Sequence, residues 1–268
     1  MGIKISIMKV IEIKHNNFEA IILKQGAQLV SFKINNQEQL LWHCDLSLYE
    51  KGKPFRGGIP ICWPWFGASQ KLNHGFARVM EWSLINKIDN ENEVILNFKL
   101  EDNIETIKIW PHKFVLNLYI SLSNSGIKLL LEVDADCKTT TALHSYFYVN
   151  DIDDITISGL DNEYFDLLEN NILFTNQNEE LKINKSIDRI YTKSKNTTIL
   201  ESNNQIIDIE HNNYSDVVIW NPWIEKSKDI LDIKSNDYKE FICIETARIN
   251  KPLNNKDFIG LEIKSMRK

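Results

Sequence analysis

The sequence is poor in the residues that define fibrous, low-complexity and disulfide-bonded proteins. Its 268 residues include only 10 glycines and 6 prolines, which excludes a collagen-like or low-complexity architecture. The four cysteines, Cys44, Cys62, Cys137 and Cys243, are widely spaced and form no C-x-x-C motif and no Cys/His metal-ligand spacing. We therefore expect free thiols, no disulfide framework, no metal site and a reducing, cytoplasmic location.

A block of positive charge is also missing, as is a long apolar segment. Lys and Arg total 31 against 37 Asp and Glu, which gives a formal net charge of −6 at pH 7. Because nucleic acids and anionic membranes require concentrated positive charge, we expect neither as a partner. A small anion held by one or two arginines remains compatible with this charge. No apolar run is long enough for a secretory signal or a membrane span, so we predict a cytoplasmic protein, and we expect a monomer.

Several common catalytic signatures do not occur. The sequence has no glycine-rich phosphate loop, no nucleotide-binding fingerprint, no HExxH motif and no G-x-S-x-G motif. Nucleotide chemistry and serine-hydrolase chemistry therefore have no support from the sequence.

Alternation of apolar and polar residues dominates what is present. Residues 93–100 and 113–122 alternate almost perfectly, and a turn at Ser123–Gly126 connects the second run to an apolar run at 127–133. Shorter runs of the same kind lie at residues 18–23, 28–34, 155–158, 206–210, 217–220 and 241–244. Helical patterns are limited to residues 103–109 and 224–231. We therefore predict an all-β protein, an antiparallel sandwich or barrel with few short helices, in a single domain over residues 1–268.

Residues 55–67 break this strand pattern. They read Phe-Arg-Gly-Gly-Ile-Pro-Ile-Cys-Trp-Pro-Trp-Phe-Gly, a density of glycine, proline and aromatic residues that favours a fixed loop over a regular element. Arg56 enters the loop, and its aromatic residues can form rigid apolar walls around a ligand. Taken alone, the loop is as well explained as an aromatic plug that closes one end of the sandwich.

Two histidines lie in unusual surroundings. His74 precedes Gly75, whose backbone can approach a ligand closely, and Arg78 lies four residues further on. His144 lies in the aromatic-rich segment Thr-Ala-Leu-His-Ser-Tyr-Phe at residues 141–147, where partial desolvation can move the pKa of an imidazole. Considered singly, each of these histidines is more typical of a structural group than of a catalytic one.

Glu245 follows the apolar segment Phe-Ile-Cys-Ile at residues 241–244. A strand of this kind would hold the carboxylate rigidly, and limited solvation would raise its pKa toward that of a useful general base. An exposed carboxylate at the end of a strand is an equally good interpretation of this feature alone.

Together, these motifs resemble the aldose 1-epimerase (mutarotase) superfamily, and specifically its hexose-6-phosphate branch. The segments that carry the resemblance follow one another in the family's order and cover most of the chain: Arg56–Gly67, His74–Arg78, His144–Phe147, Asp188–Tyr191, Val218–Trp223 and Cys243–Thr246. Two positions differ, because Asn73 stands where relatives often have Gln and Ser186 where they often have Glu. The resemblance implies a large antiparallel β-sandwich of the galactose mutarotase type that binds a sugar on a concave sheet face.

The resemblance also implies an activity and its residues. Members of the family interconvert the α and β anomers of a sugar without a metal or an organic cofactor. By analogy, Glu245 is the general base and His144 the general acid. The positions expected to bind substrate, with the two arginines on its phosphate, are Arg56, Arg78, Asn73, His74 and Asp188.

The function predicted from the sequence is therefore that of a glucose-6-phosphate 1-epimerase, an isomerase whose partner is a small hexose 6-phosphate. Two alternatives remain open. One is an aldose 1-epimerase that acts on unphosphorylated sugars. The other is a non-catalytic sugar-phosphate-binding module, although binding alone would not require an acid–base pair.

Overall fold

The fold consists mainly of β-strands. The computed structural model describes residues 7–35, 37–45, 49–68, 72–175 and 178–268. Within these residues the strands, in chain order, are β1 (Val10–Lys14), β2 (Phe18–Leu23), β3 (Gln28–Ile34), β4 (Ile61–Cys62), β5 (Ser83–Asp89), β6 (Glu93–Glu101), β7 (Phe114–Ser123), β8 (Gly126–Ala135), β9 (Thr139–Leu143), β10 (Tyr146–Tyr148), β11 (Thr156–Ser158), β12 (Glu163–Asp166), β13 (Ile172–Thr175), β14 (Glu180–Leu181), β15 (Ile187–Tyr191), β16 (Thr197–Glu201), β17 (Gln205–Asn212), β18 (Asp216–Asn221), β19 (Phe241–Leu253) and β20 (Asp257–Arg267).

These strands form three sheets in which all strand pairs are antiparallel. A nine-stranded sheet has the order β14-β11-β16-β17-β20-β8-β7-β6-β5. An eight-stranded sheet has the order β13-β12-β15-β18-β19-β9-β4, with β10 paired to β19, and a three-stranded sheet consists of β1, β2 and β3. The predicted all-β antiparallel architecture is therefore confirmed.

The strands β6, β7 and β8 follow the sequence pattern closely. Burial alternates along all ten residues of β7, because successive side chains of a strand point to opposite faces. β7 ends at Ser123 and β8 begins at Gly126, which confirms the predicted hairpin turn. Glu93–Glu101 pairs with β7 over its whole length, and the buried side chains of these strands join the main hydrophobic core.

Helices are few and short, as predicted. The two α-helices in the described part of the chain are α1 (Ile104–Ile109) and α2 (Trp223–Asp229). Asn103 caps α1 by accepting hydrogen bonds from the amides of Glu105 and Thr106 at 2.9 and 3.0 Å. The described residues also include four single-turn 3₁₀ helices: Ala77–Val79, Ile152–Asp154, Leu167–Glu169 and Asp237–Lys239. Within the described residues, neither α-helix has the length needed to cross a lipid bilayer.

Strand β19 separates the main core from the candidate site. Ile242 and Ile244 are fully buried and belong to the main core, where each contributes about 1.5–3 kcal/mol. Cys243 and Glu245 alternate with them and therefore project from the opposite face of the eight-stranded sheet. On that face Phe241 and Cys243 pack with Trp42 and Tyr146 in a smaller hydrophobic cluster, separate from the main core.

A buried polar bridge connects the two large sheets behind Glu245. The imidazole of His211, on β17, lies between two threonine hydroxyls, with Nε2 2.9 Å from Oγ1 of Thr198 and Nδ1 2.7 Å from Oγ1 of Thr246. Burial lowers the pKa of His211 to about 4, so the ring is neutral at pH 7. The bridge fixes β19 at the residue that follows Glu245.

Candidate active site

The loop at residues 55–67 ties the site segments together. The amide of His144 donates to the carbonyl oxygen of Pro60 at 3.0 Å, and the amide of Phe76 donates to that of Trp63 at 3.0 Å. The prediction that this stretch contains no regular element was wrong in one respect. Ile61–Cys62 forms the short strand β4, which pairs with β9 and so extends the eight-stranded sheet up to the loop.

The loop carries side chains with two different surroundings. Trp63 is fully buried and packs edge-on against Trp110 and Phe76, with ring centroids 5.1 and 5.7 Å apart, so it plugs the core. Arg56 instead lies on the site side, where its guanidinium contacts Tyr146. A structural aromatic and a site arginine therefore occupy one short segment.

Gly75 holds the second site segment against this loop. Its φ is +67°, and a Cβ atom there would overlap the carbonyl oxygen of Trp63. We therefore expect Gly75→Ala to lower the free energy of unfolding by about 2–4 kcal/mol. This value adds the cost of placing alanine in the left-handed conformation to the cost of relieving the overlap with the backbone of Trp63. The matched control is Gly52→Ala, because Gly52 has φ +85° with nothing within 4 Å of its Cβ position. Urea unfolding should show a loss of only about 1 kcal/mol for the control, and equal losses would contradict the overlap.

His144 and Glu245 form a buried pair. Nε2 of His144, in the short connection between β9 and β10, lies 3.2 Å from Oε1 of Glu245 on β19. The side chains are only 10% and 2% exposed. Nδ1 of His144 and Oε2 of Glu245 are buried without a hydrogen-bond partner among the described residues. Buried polar atoms without partners are unusual outside sites that bind ligands.

Burial changes the protonation of both members of this pair. It raises the pKa of Glu245 well above its usual range, an effect that the nearby Asp188 carboxylate reinforces. Burial also lowers the pKa of His144 well below its usual range, and the positive fields of Arg78 and Arg56 add to this. Both shifts disfavour the charged form of the side chain, and the 3.2 Å contact allows a proton to pass between the two side chains.

Aromatic rings fix the orientation of His144. The ring of Tyr146 stacks on the imidazole, with centroids 4.8 Å apart and planes within 11°. Trp220, on β18, presents an edge to the same imidazole at 6.1 Å. Neither residue was among those predicted for the site. Tyr146 lies two positions after His144 in an extended segment, and the period of two places both on one face, so this signal was available.

His74 lies next to His144 in the structure. The two rings meet edge to face, with centroids 5.8 Å apart. The amide of Gly67 donates to Nδ1 of His74 at 3.3 Å, so Nε2 carries the proton of the neutral ring. Burial lowers the pKa of His74 to about 4, helped by Arg78 and Arg56, and the ring is therefore a neutral donor at pH 7. Asn73 is exposed, and its carbonyl oxygen accepts a hydrogen bond from Arg78.

The two predicted arginines lie in different surroundings. Arg56 donates from Nε to Asp232 at 2.9 Å and from Nη1 to the hydroxyl of Tyr146 at 3.3 Å. Arg78 donates from Nη2 to the carbonyl oxygen of Asn73 at 2.7 Å, and its buried Nε has no hydrogen-bond partner among the described residues. Asp232 was not predicted, and no motif surrounds it. It is held beside Arg56 only by the fold.

Asp188 lies on β15, opposite Trp220 of β18. Burial raises the pKa of Asp188 to about 6, and the field of Asp166 adds to this, whereas Lys226 opposes it. The Nζ of Lys226 is 3.9 Å from the Asp188 carboxylate. Of the predicted residues, the structure brings His74, Arg78, Arg56 and Asp188 within electrostatic range of the central pair, while Asn73 lies at the edge.

We expect Asp188→Asn to stabilise the protein at neutral pH. The pKa of Asp188 is raised from 3.8 to about 6 in the folded state, so the folded protein binds more protons than the unfolded chain between these values. The wild-type free energy of unfolding therefore falls as the pH rises from about 4 to 6, and the asparagine variant avoids this fall. Urea unfolding should show a gain of about 2 kcal/mol at pH 7.5 and none near pH 3. An equal gain at both pH values would contradict the raised pKa.

Comparisons with known proteins agree with this fold. A protein of Escherichia coli strain K12, provisionally named a glucose-6-phosphate 1-epimerase, is 34% identical over 256 residues, which are 91% of this chain and 84% of the relative. A relative from Cenchrus ciliaris with the same provisional name is 32% identical and matches 88% of this chain and 77% of its own length.

Solved structures show the same architecture. YeaD from Salmonella typhimurium, provisionally described as a mutarotase, superimposes with a TM-score of 0.94 and 31% identity over 97% of this chain and 91% of its own. Galactose 1-epimerase from Lactobacillus acidophilus NCFM shares the fold at a TM-score of 0.74 and 14% identity, over 97% of this chain and 95% of its own. The sequence model of aldose 1-epimerase matches residues 9–263. This chain therefore belongs to the aldose 1-epimerase family.

Proposed function

We propose that this protein interconverts the α and β anomers of glucose 6-phosphate or a closely related hexose 6-phosphate. The observation that carries the proposal is the buried His144–Glu245 pair, whose side chains lie 3.2 Å apart within the electrostatic influence of two arginines. The provisional names of the relatives from Escherichia coli and Cenchrus ciliaris support the same substrate class.

In the reaction one member of the pair accepts a proton while the other donates one. The Glu245 carboxylate removes the proton of the anomeric hydroxyl while the protonated His144 gives a proton to the ring oxygen, and the C1–O5 bond breaks to leave an open-chain aldehyde. Rotation about C1–C2 presents the other carbonyl face to the hydroxyl at C5. Closure returns both protons, so the enzyme ends as it began. One acid and one base, each contributing about 10²–10⁴-fold, are enough for a reaction that already proceeds in water.

The geometry of the pair constrains how the substrate binds. Nε2 of His144 and Oε1 of Glu245 contact each other directly at 3.2 Å. Proton transfer to and from a sugar requires these two atoms to move apart. The anomeric hydroxyl can then contact Glu245, and the ring oxygen can contact His144. The proton count of the pair does not change, because the carboxylate–imidazolium form and the neutral form differ only in which side chain holds the proton.

The arginines supply the anion recognition. Arg side chains give charged, directional contacts to phosphate oxygens, whereas a free sugar has no group that needs them. Arg56 reaches the site beside Tyr146, and Arg78 is close enough to Glu245 and His144 to affect the pKa of both. We propose that these two side chains bind the 6-phosphate, and that His74 and Asp188 contact sugar hydroxyls.

We expect Arg56→Ala or Arg78→Ala to raise the KM for glucose 6-phosphate by about 10–100-fold, because each variant loses the binding free energy of a hydrogen bond to a charged group. The KM for free glucose should change by less than about twofold, because glucose lacks the phosphate. Arg267→Ala is the matched control, since Arg267 is an exposed arginine at the end of β20. Equal effects on both sugars would remove the phosphate role from these arginines.

The test of the function itself is anomer exchange. Freshly dissolved α-glucose 6-phosphate is mixed with the enzyme, and the approach to the anomeric equilibrium is followed by NMR against the spontaneous rate. Acceleration on phosphorylated hexoses supports the proposal. Acceleration on glucose alone would favour the unphosphorylated-sugar alternative, and calorimetric binding without any acceleration would favour the binding module. The cytoplasmic location and the monomeric state remain predictions of the sequence.

A further inference from the structure

A second cluster of chemically active side chains lies at the open end of the β7–β8 hairpin. His112, Asp136 and Cys137 each offer one potential metal-ligand atom, and these atoms all lie within 4.8 Å of one another. Among the residues that the structure describes, no other group of three His, Cys, Asp or Glu side chains meets this condition. None of the three takes part in the proposed epimerase site.

The strand register brings these residues together. Phe114 of β7 pairs with Ala135 of β8, so the residue two positions before Phe114 lies beside those that follow Ala135. His112 is thus 24 residues from Asp136 in the sequence but adjacent to Asp136 and Cys137 in space. This is why the cysteine spacing predicts no metal site, whereas the structure contains a candidate.

Contacts within the fold orient the side chains of this cluster. Nδ1 of His112 is 2.7 Å from Oδ1 of Asp136, and the amide of Lys113 donates to Oδ2 of the same carboxylate at 3.1 Å. The Trp110 ring lies 4.5 Å from the imidazole and limits its rotation. An indole wall and a backbone amide therefore orient two of the three groups, as supporting contacts do in metal sites.

The spacing and exposure suit a transition metal ion. Ligand atoms around a tetrahedral zinc ion are about 3.4 Å apart, as zinc–ligand bonds of about 2.0–2.3 Å require. Separations of up to 4.8 Å therefore need side-chain movements of about 1 Å. The side chains of His112 and Asp136 are 36% and 51% exposed, which leaves an entry path from solvent.

We propose that His112, Asp136 and Cys137 form a binding site for a divalent transition metal ion of the zinc class. A ring nitrogen, a carboxylate oxygen and a thiolate sulfur make up its donor set, with water in the fourth position. Nitrogen and sulfur donors select Zn²⁺ and Co²⁺ over Mg²⁺ and Ca²⁺, which prefer oxygen. On binding, the Cys137 thiol loses its proton to solvent and a metal–sulfur bond forms.

Cobalt provides the first test. The reduced, metal-free full-length protein is titrated with Co²⁺, and the near-ultraviolet thiolate-to-cobalt charge-transfer band is recorded. Cys44, Cys62 and Cys243 are buried, so a band from the folded protein reports Cys137. We expect a band that saturates at one equivalent, is bleached by Zn²⁺ and is absent in Cys137→Ser. No band in the wild type, or an unchanged band in Cys137→Ser, would overturn the proposal.

A matched pair of carboxylate variants tests the geometry. Asp134 and Asp136 lie two residues apart, and both are exposed, but only Asp136 belongs to the cluster. Calorimetric titration with Zn²⁺ should show at least about tenfold weaker binding for Asp136→Asn and unchanged binding for Asp134→Asn. Equal losses in the two variants would indicate general electrostatic attraction, and the proposed site would be wrong.

Discussion

Replacing Glu245 by glutamine is expected to lower kcat/KM for anomer exchange by about 10²–10⁴-fold, the usual contribution of a positioned general base. Glutamine keeps the size of the side chain and can still accept a hydrogen bond, but it cannot take the proton of the anomeric hydroxyl. The position is 1% exposed on a strand whose neighbours are fully buried, so an isosteric change is needed to preserve packing. Initial rates of exchange, measured by NMR after subtraction of the spontaneous rate, give the result.

The control for this variant is Glu240→Gln. Glu240 precedes β19 by one residue and is exposed, so the same chemical change is made next to the same strand but outside the site. We expect its exchange rate to match that of the wild type. Glu245→Gln should also be at least as stable as the wild type at pH 8, because burial of an ionisable carboxyl favours its neutral form. A Glu245→Gln enzyme that is folded and fully active would exclude Glu245 as the base.

The strands could be predicted from the sequence because their signal is local. Buried and less buried side chains alternate along β6 and β7, and the apolar–polar alternation of the sequence predicts this burial pattern. The cap of α1 is equally local, since Asn103 bonds to amides two and three residues away. Such features depend on neighbours within a few positions, which a single sequence displays.

The central pair and its surroundings differ in this respect. His144 and Glu245 were identified because each lies in a distinctive motif, but their 3.2 Å contact depends on how β10 and β18 pair with β19. The partners of Arg56 and Asp188 had no such motif. Asp232 lies 176 residues from Arg56 in the chain, so only the folded structure shows that the two side chains meet. Partner choice across sheets is therefore the information that the sequence pattern lacks.

The site also carries a cost in stability that the strands do not. Glu245 and Asp188 are both carboxyl groups whose pKa is raised by burial, and Asp188 raises the pKa of Glu245 further. Such groups destabilise the folded state above their unfolded pKa values, where they must ionise or remain protonated at a cost. Two buried carboxyl groups on one sheet face lower the stability of the fold, and such a cost is typical of functional sites.

Replacing His144 by glutamine is expected to change the shape of the pH–rate profile as well as its height. In the wild type the pair must carry one proton. Activity falls at low pH when the pair takes up a second proton, and at high pH when it loses its only one. Because the pKa of His144 is lowered, the acidic limb lies below pH 6.5, and because that of Glu245 is raised, the basic limb lies above pH 4.5.

In His144→Gln only Glu245 still titrates. Its carboxylate is the active form, so the remaining activity should rise with pH through the raised pKa of Glu245 and should not fall again. We expect kcat/KM to be about 10²–10⁴-fold lower at neutral pH, with a slope opposite to that of the basic limb of the wild-type profile. The substrate phosphate titrates at about pH 6. This titration affects the rates of both enzymes in the same way, so it cancels in the ratio of variant to wild-type rates. A bell-shaped profile that persists in His144→Gln would assign the basic limb to another acid and would leave His144 with a structural role beneath Tyr146.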